Sequence, residues 1–150
     1  MIPSLFFSRL KVIISDIEQD SGVKLFKDVK VVIGYDKAML RKLNFPSALI
    51  VVSGFLSDAE HPQIGNQAFS VMPFVVNKHD IFGECILTGS GNTKGLHYVS
   101  KKVHAAITGL QSLAGSINIV EGNHGGIIHE KGATAISHRE FRCDVLLDAE

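Results

Sequence analysis

Apolar and polar positions alternate along the last third of the chain. Over 133–148 (ATAISHREFRCDVLLD), Phe141, Cys143, Val145 and Leu147 fall on one side, and Arg142, Asp144 and Asp148 on the other. A period of two predicts one long strand with a wet face. The short apolar run 116–120 (SINIV) predicts a strand before it, joined by the glycine-rich connection EGNHGGIIHEKG. A helical period occurs twice. Residues 3–19 set Phe6, Leu10, Ile13 and Ile17 three and four apart, with Ser4 as the N-cap and Asp20-Ser21-Gly22 as the stop. A second helix opens at Thr93, its expected cap, and runs to about Leu110. Its stripe is Leu96, Val99, Val103, Ile107 and Leu110, with Gly109 where it stops.

The middle of the chain is patterned more weakly. Residues 29–33 (VKVVI) predict a short strand, and 36–43 two helical turns capped by Asp36. Asn44-Phe45-Pro46 breaks them, because proline disfavours helical geometry in the residue before it. Residues 48–52 (ALIVV) predict a strand buried on both faces. The polar stretch 57–66 reads as a loop, and 67–77 (QAFSVMPFVVN) as another strand. Pro73 inside that strand predicts a sheet edge or a bulge, since proline cannot donate to a ladder. Residues 80–91 carry little pattern beyond a possible strand at 85–88. This order predicts an α+β fold: a mainly antiparallel or mixed sheet of four to five strands with two main helices packed on it. No repeat or linker interrupts it, and 150 residues suit a single domain over 1–150.

Charge and cysteine content narrow the function. Fifteen basic and fifteen acidic residues leave no formal net charge, so neither specific nucleic-acid binding nor attraction to an anionic membrane is expected. The N-terminus has no basic start or small-residue cleavage site, and no segment approaches the roughly 20 apolar residues of a membrane span. Cys85 and Cys143 form no metal-type pair, and Cys143 reads as a small buried hydrophobe.

Candidate chemistry is sparse. Gly89-Ser-Gly-Asn-Thr-Lys-Gly95 follows the possible strand and opens a helix, a place where bare amides can meet a phosphate. Its spacing fits neither standard fingerprint: Lys94 precedes its glycine, and the last gap is one residue too long for a dinucleotide loop. The bland reading is a loop before a helix. His97 and His104 lie seven apart on one helix, about 10 Å along its axis, too far to share a metal. His124 and His129 flank glycines without a completing carboxylate or cysteine; His61, His79 and His138 are isolated. Ser53 precedes Gly54 without a nucleophile elbow. The pairs Arg41-Lys42 and Lys101-Lys102 read as solvated helix faces. No catalytic, cofactor or metal residue is expected, and the chain is not expected to be an enzyme.

Several segments together resemble a known family. They are the N-terminal helix LFFSRLKVIISDI, the run FPSALIVV at 45–52, the strand FSVMPFVVN at 69–77, the helix GLHYVSKKVHAAITGL at 95–110 and the closing strands. In order and hydrophobicity they are similar to the small tail-terminator, or tail-completion, proteins of long-tailed phages and Mu-like prophages. The resemblance implies structural work. Such proteins assemble as rings, typically hexamers, that cap the tail tube, end its polymerisation and offer a surface to the head or neck. Implied partners are further copies of the chain, the tail tube protein and a head–neck connector protein. The implied setting is the host cytoplasm during assembly and then the virion tail. The family has no catalytic residues to carry over.

A ring subunit needs contacts that close by rotation. Apolar residues outside the expected core are candidates for them: Phe55 and Leu56 in the segment SGFL, and Ile81 and Phe82 beside turn residues. The alternatives are a small phosphate-ligand-binding enzyme using the 89–95 loop, and an adaptor that forms no ring.

Overall fold

The computed structural model describes residues 3–34, 36–57, 64–76, 84–90, 93–108, 117–130 and 134–146. In chain order the elements are helix α1 (Pro3–Ser15), strand β1 (Asp28–Val32), a 3-10 helix (Lys37–Lys42), β2 (Ser47–Ser57), β3 (Ile64–Val76), α2 (Glu84–Thr88), β4 (Gly89–Ser90), β5 (Thr93–Lys94), α3 (Leu96–Thr108), β6 (Ile117–Glu130) and β7 (Thr134–Leu146). Five strands form one sheet in the order β1-β2-β3-β7-β6. Its β1–β2 pair is parallel and the other three are antiparallel. The class is α+β, with a mixed sheet carrying two main helices. Among the described residues no helix is long and apolar enough to cross a membrane.

The helices cover one face of the sheet. Phe6, Leu10 and Ile14 of α1 and Leu96, Val99, Val103 and Ile107 of α3 are buried there against Ala48, Ile50, Phe69, Val71, Val75 and Phe141. Phe6 meets Phe69 edge-on with centroids 5.5 Å apart, and Phe69 stacks on Phe141 at the same distance. Three rings thus tie α1 to the central strand and its neighbour. The expected stripe of α3 is buried at all four described positions; Gly109 and Leu110 lie outside the described residues. In α1 Phe6 and Leu10 are buried as expected, but the third buried position is Ile14, and Ile13 is half-buried.

Helix α1 is shorter than its apolar period. It starts at Pro3, where a missing N–H costs nothing, so Ser4 lies inside the first turn. It ends at Ser15. Ile17 still enters the core, but its N–H donates to the Ile14 carbonyl at 3.3 Å, and its own carbonyl receives the Leu25 N–H at 2.9 Å. The chain then reverses through a Glu18–Lys24 bridge, with Gly22 at φ +85°. Glycine suits that left-handed position.

The opposite face carries a smaller cluster. Leu49, Met72 and Phe74 are buried against half-buried Val32, Met39, Leu43, Phe45 and Val51. The cover is the 3-10 helix and the segment after it. Asp36 caps this helix: its Oδ1 accepts the Ala38 N–H at 3.0 Å. Of the run 48–52 expected to be buried on both faces, Ala48, Leu49 and Ile50 are buried and Val51 and Val52 half-buried; Ser47 before them is buried too.

Several sequence expectations are corrected. Pro73 lies in the middle strand of the sheet, opposite Ala48 of β2. On the other side, pairing passes from Val71↔Arg139 directly to Phe74↔Ile136 with no change of register. The ladder skips the imide that cannot donate, so neither an edge nor a bulge is needed there. Of the expected loop 57–66, Ser57 and residues 64–66 are strand and 58–63 lie outside the described residues; β2 itself carries a register shift between Val52 and Phe55. Residues 85–88 are helical. Thr93 belongs to a two-stranded hairpin, not to a helix cap.

The glycine-rich connection is also strand. Most of it lies in β6, whose register on β7 shifts three times: between Ile117 and Val120, Glu121 and His124, and His124 and Ile127. Gly122, Gly125 and Gly126 fall within the last two shifts. Glycine is the residue expected where a strand bulges.

Candidate functional site

Of the four residues singled out as contact candidates, Phe55 and Leu56 lie among the described residues. Phe55 and Leu56 continue β2 past its bulge, opposite Gln67 and Asn66 of β3. Ile81 and Phe82 lie outside the described residues.

The two sheet edges are contact surfaces of another kind. Among the described residues β1 pairs only with β2, and β6 only with β7. Their outer backbone groups are therefore the ones available to a further strand. Val31 in β1 is 37% exposed, and Ile33 just after it 90%. Val12 on α1 and Val23 in the reversing turn are further exposed apolar residues. Large apolar side chains at an open edge suit pairing with another chain.

The 89–95 glycine segment has its own architecture. Helix α2 precedes it, and Gly89↔Lys94 and Ser90↔Thr93 close a hairpin, with Gly89 at φ +92°. This is helix–hairpin–helix, where a phosphate loop is strand–loop–helix. Gly95 follows, and its carbonyl accepts the Val99 N–H at 3.1 Å, the first bond of α3. A Cβ on Gly95 would run into the Gly89 nitrogen and the Leu87 carbonyl oxygen. Glycine is there to let two backbones touch.

Lys94 Nζ lies over the Tyr98 ring, 4.8 Å from its centroid. Lys102 Nζ is 5.6 Å from the same centroid and 2.7 Å from Asp20 Oδ1. The Asp20 N–H donates to the Tyr98 hydroxyl oxygen at 3.0 Å. Two cations, one ring and one carboxylate fasten the reversing turn to α3. The hydrogen bond from Lys102, then its charge, hold the Asp20 carboxyl below its ordinary range. The same hydrogen bond raises the Lys102 ammonium against some desolvation. Lys102 is therefore not the freely solvated cation that the basic pair suggested; its side chain is 32% exposed. The signal in the sequence was Tyr98 and Lys102 at a spacing of four, which share one face of α3, with Lys94 just before that helix in β5.

Among the described residues no group of three or more histidines, cysteines and acids is arranged to hold a metal ion. His97 is exposed and His104 half-buried on α3, while His124 and His129 belong to β6 and His138 to β7. No family model matches the chain, and neither does any curated protein.

Proposed function

We propose that this chain is a structural subunit of a phage or prophage tail. Copies of it close into a ring, six to the ring, that caps the tail tube, ends its polymerisation and joins it to the head–neck connector. The reading rests on the resemblance of residues 45–52, 69–77 and 95–110 to tail-terminator proteins. One structural observation supports it most: among the described residues the mixed sheet keeps two unlike open edges while the helices occupy its face. Unlike edges favour head-to-tail contacts, and such contacts form rings when the rotation closes. On this reading the protein acts in the host cytoplasm during assembly and then in the virion tail, without chemical turnover.

Light scattering over a concentration series, followed by electron microscopy with purified tail tubes, tests it. The expected result is a closed oligomer seated at tube ends, and tails of uncontrolled length when the gene is deleted. A persistent monomer that leaves tube ends bare, with normal tails in the deletion strain, would overturn it.

A further inference from the structure

We infer that copies of the chain join edge to edge, β1 of one copy pairing with β6 of the next as an antiparallel ladder. The inference rests on the ring reading and names the surface that makes the ring. Strand direction carries the first part of the argument. Strand β1 runs with β2; β3 runs against β2, β7 against β3, and β6 against β7. Strands β1 and β6 therefore point in opposite senses. Rotation about an axis along the strands leaves their direction unchanged, so β6 of a neighbour meets β1 antiparallel. That is the more stable of the two ladder types.

Charge carries the second part. The β1 edge with its flanks, residues 27–33, holds Lys27 and Lys30, both exposed, and Asp28, for a net charge of +1. Asp28 is half-buried, and its Oδ2 accepts the Asn44 N–H at 2.8 Å. Strand β6 with the same flanks, residues 116–131, holds Glu121, Glu130 and Lys131, for a net charge of −1 with neutral histidines. A lysine on an edge strand ordinarily deters pairing. Here it deters β1 from meeting β1, as the acids deter β6 from meeting β6, while the unlike edges attract. Symmetric dimers are thus disfavoured and the head-to-tail joint favoured. Exposed Val31 and Ile33 add apolar surface to β1 that the joint would cover.

The test uses the whole chain. Sedimentation equilibrium should find that Lys27→Glu/Lys30→Glu weakens self-association at least about tenfold, since like charges then face one another. Adding Glu121→Lys/Glu130→Lys to that variant should restore it, which also shows that folding was not the cause. Independently of any variant, hydrogen exchange of the unmodified protein should find amides of both β1 and β6 slower at high concentration than at low. An oligomer whose mass ignores the reversal, whose mass is not restored by the swap, or whose edge amides exchange at unchanged rates overturns the edge joint and leaves the ring reading standing. A chain that remains monomeric, alone and with tail tubes, overturns both.

Discussion

The two faces of the sheet are covered in different ways. On one, two helices of thirteen residues each lay continuous stripes across β1, β2, β3 and β7. On the other, six residues of 3-10 helix and the segment leading to Pro46 cover Leu49, Met72 and Phe74. Strand β2 serves both, with Ala48 and Ile50 turned to the helices and Leu49 to the 3-10 side. A strand buried on both faces therefore need not lie between two layers of equal rigidity. Long helices hold their side chains through many hydrogen bonds of their own, whereas a short 3-10 turn has few.

The most damaging way to break the comparison is a charge on the helix side. Val103 is fully buried mid-stripe, so Val103→Asp should cost about 3 kcal/mol or more in denaturant melts, because it buries an unpaired carboxylate. On the other face, Leu49→Ala should cost about 2–3 kcal/mol, the low end for a buried leucine, because a short cover can settle into the space. A loss as large as that of Val103→Asp would mean that the 3-10 cover is as rigid as the helices.

Ser47 sharpens the contrast. It is fully buried at the start of β2, and among the described residues its hydroxyl has no hydrogen-bond partner. Ser47→Ala should therefore raise stability, by about 1 kcal/mol, since an unsatisfied buried hydroxyl is removed. A loss of stability in the same melts would mean that the hydroxyl is satisfied after all.

The smallest effect concerns the Asp20–Lys102 contact on the helix side. The carboxyl is held below its ordinary range in the folded chain, so its contribution is present above the unfolded value and is lost as pH falls through the folded one. The ammonium is raised, so its contribution is present below its unfolded value and is lost as pH rises through the folded one. Asp20→Asn should remove the acid-side part of this dependence and leave the melting profile near neutrality almost unchanged. Because Asp20 is largely exposed and water screens the pair, the contact positions the turn more than it stabilises the fold.

The same contrast explains what the sequence revealed. The helix face was legible because Leu96, Val99, Val103 and Ile107 repeat at helical spacing, and Phe141 followed by Arg142 alternates as a half-buried strand must; the structure buries the first and exposes the second. The 3-10 helix was legible through Asp36 alone, a capping signal rather than a packing one. Strand β6 was legible only at its start, 117–120, because beyond it the glycines resemble a connection and the shifts destroy the period of two. Ile17 extended the apparent period of α1 past Ser15, since a residue in a turn can reach the same core as the helix before it. Pro73 misled because a gap in pairing on one side of a central strand leaves no trace in the amino-acid pattern. Of the contact candidates, Phe55 and Leu56 stood out by hydrophobicity, yet a strand beyond a bulge reads like an apolar loop when the bulge is unseen. The edges offered by β1 and β6 follow from strand order, which no local pattern encodes.

The shifts in β6 also affect the shape of the sheet. From Ile117 to Glu130 the strand takes thirteen residue steps, while its partner takes ten between Asp144 and Thr134. At about 3.3 Å per step, β6 carries roughly 10 Å of contour that β7 does not match. Two lanes joined side by side but unequal in length cannot both run straight, and the longer takes the outside of the bend. The surplus is inserted at three places, so the bend is spread along the strand instead of folded into one corner. This margin of the sheet is thus built as an arc, by residues counted into one lane and left out of the other.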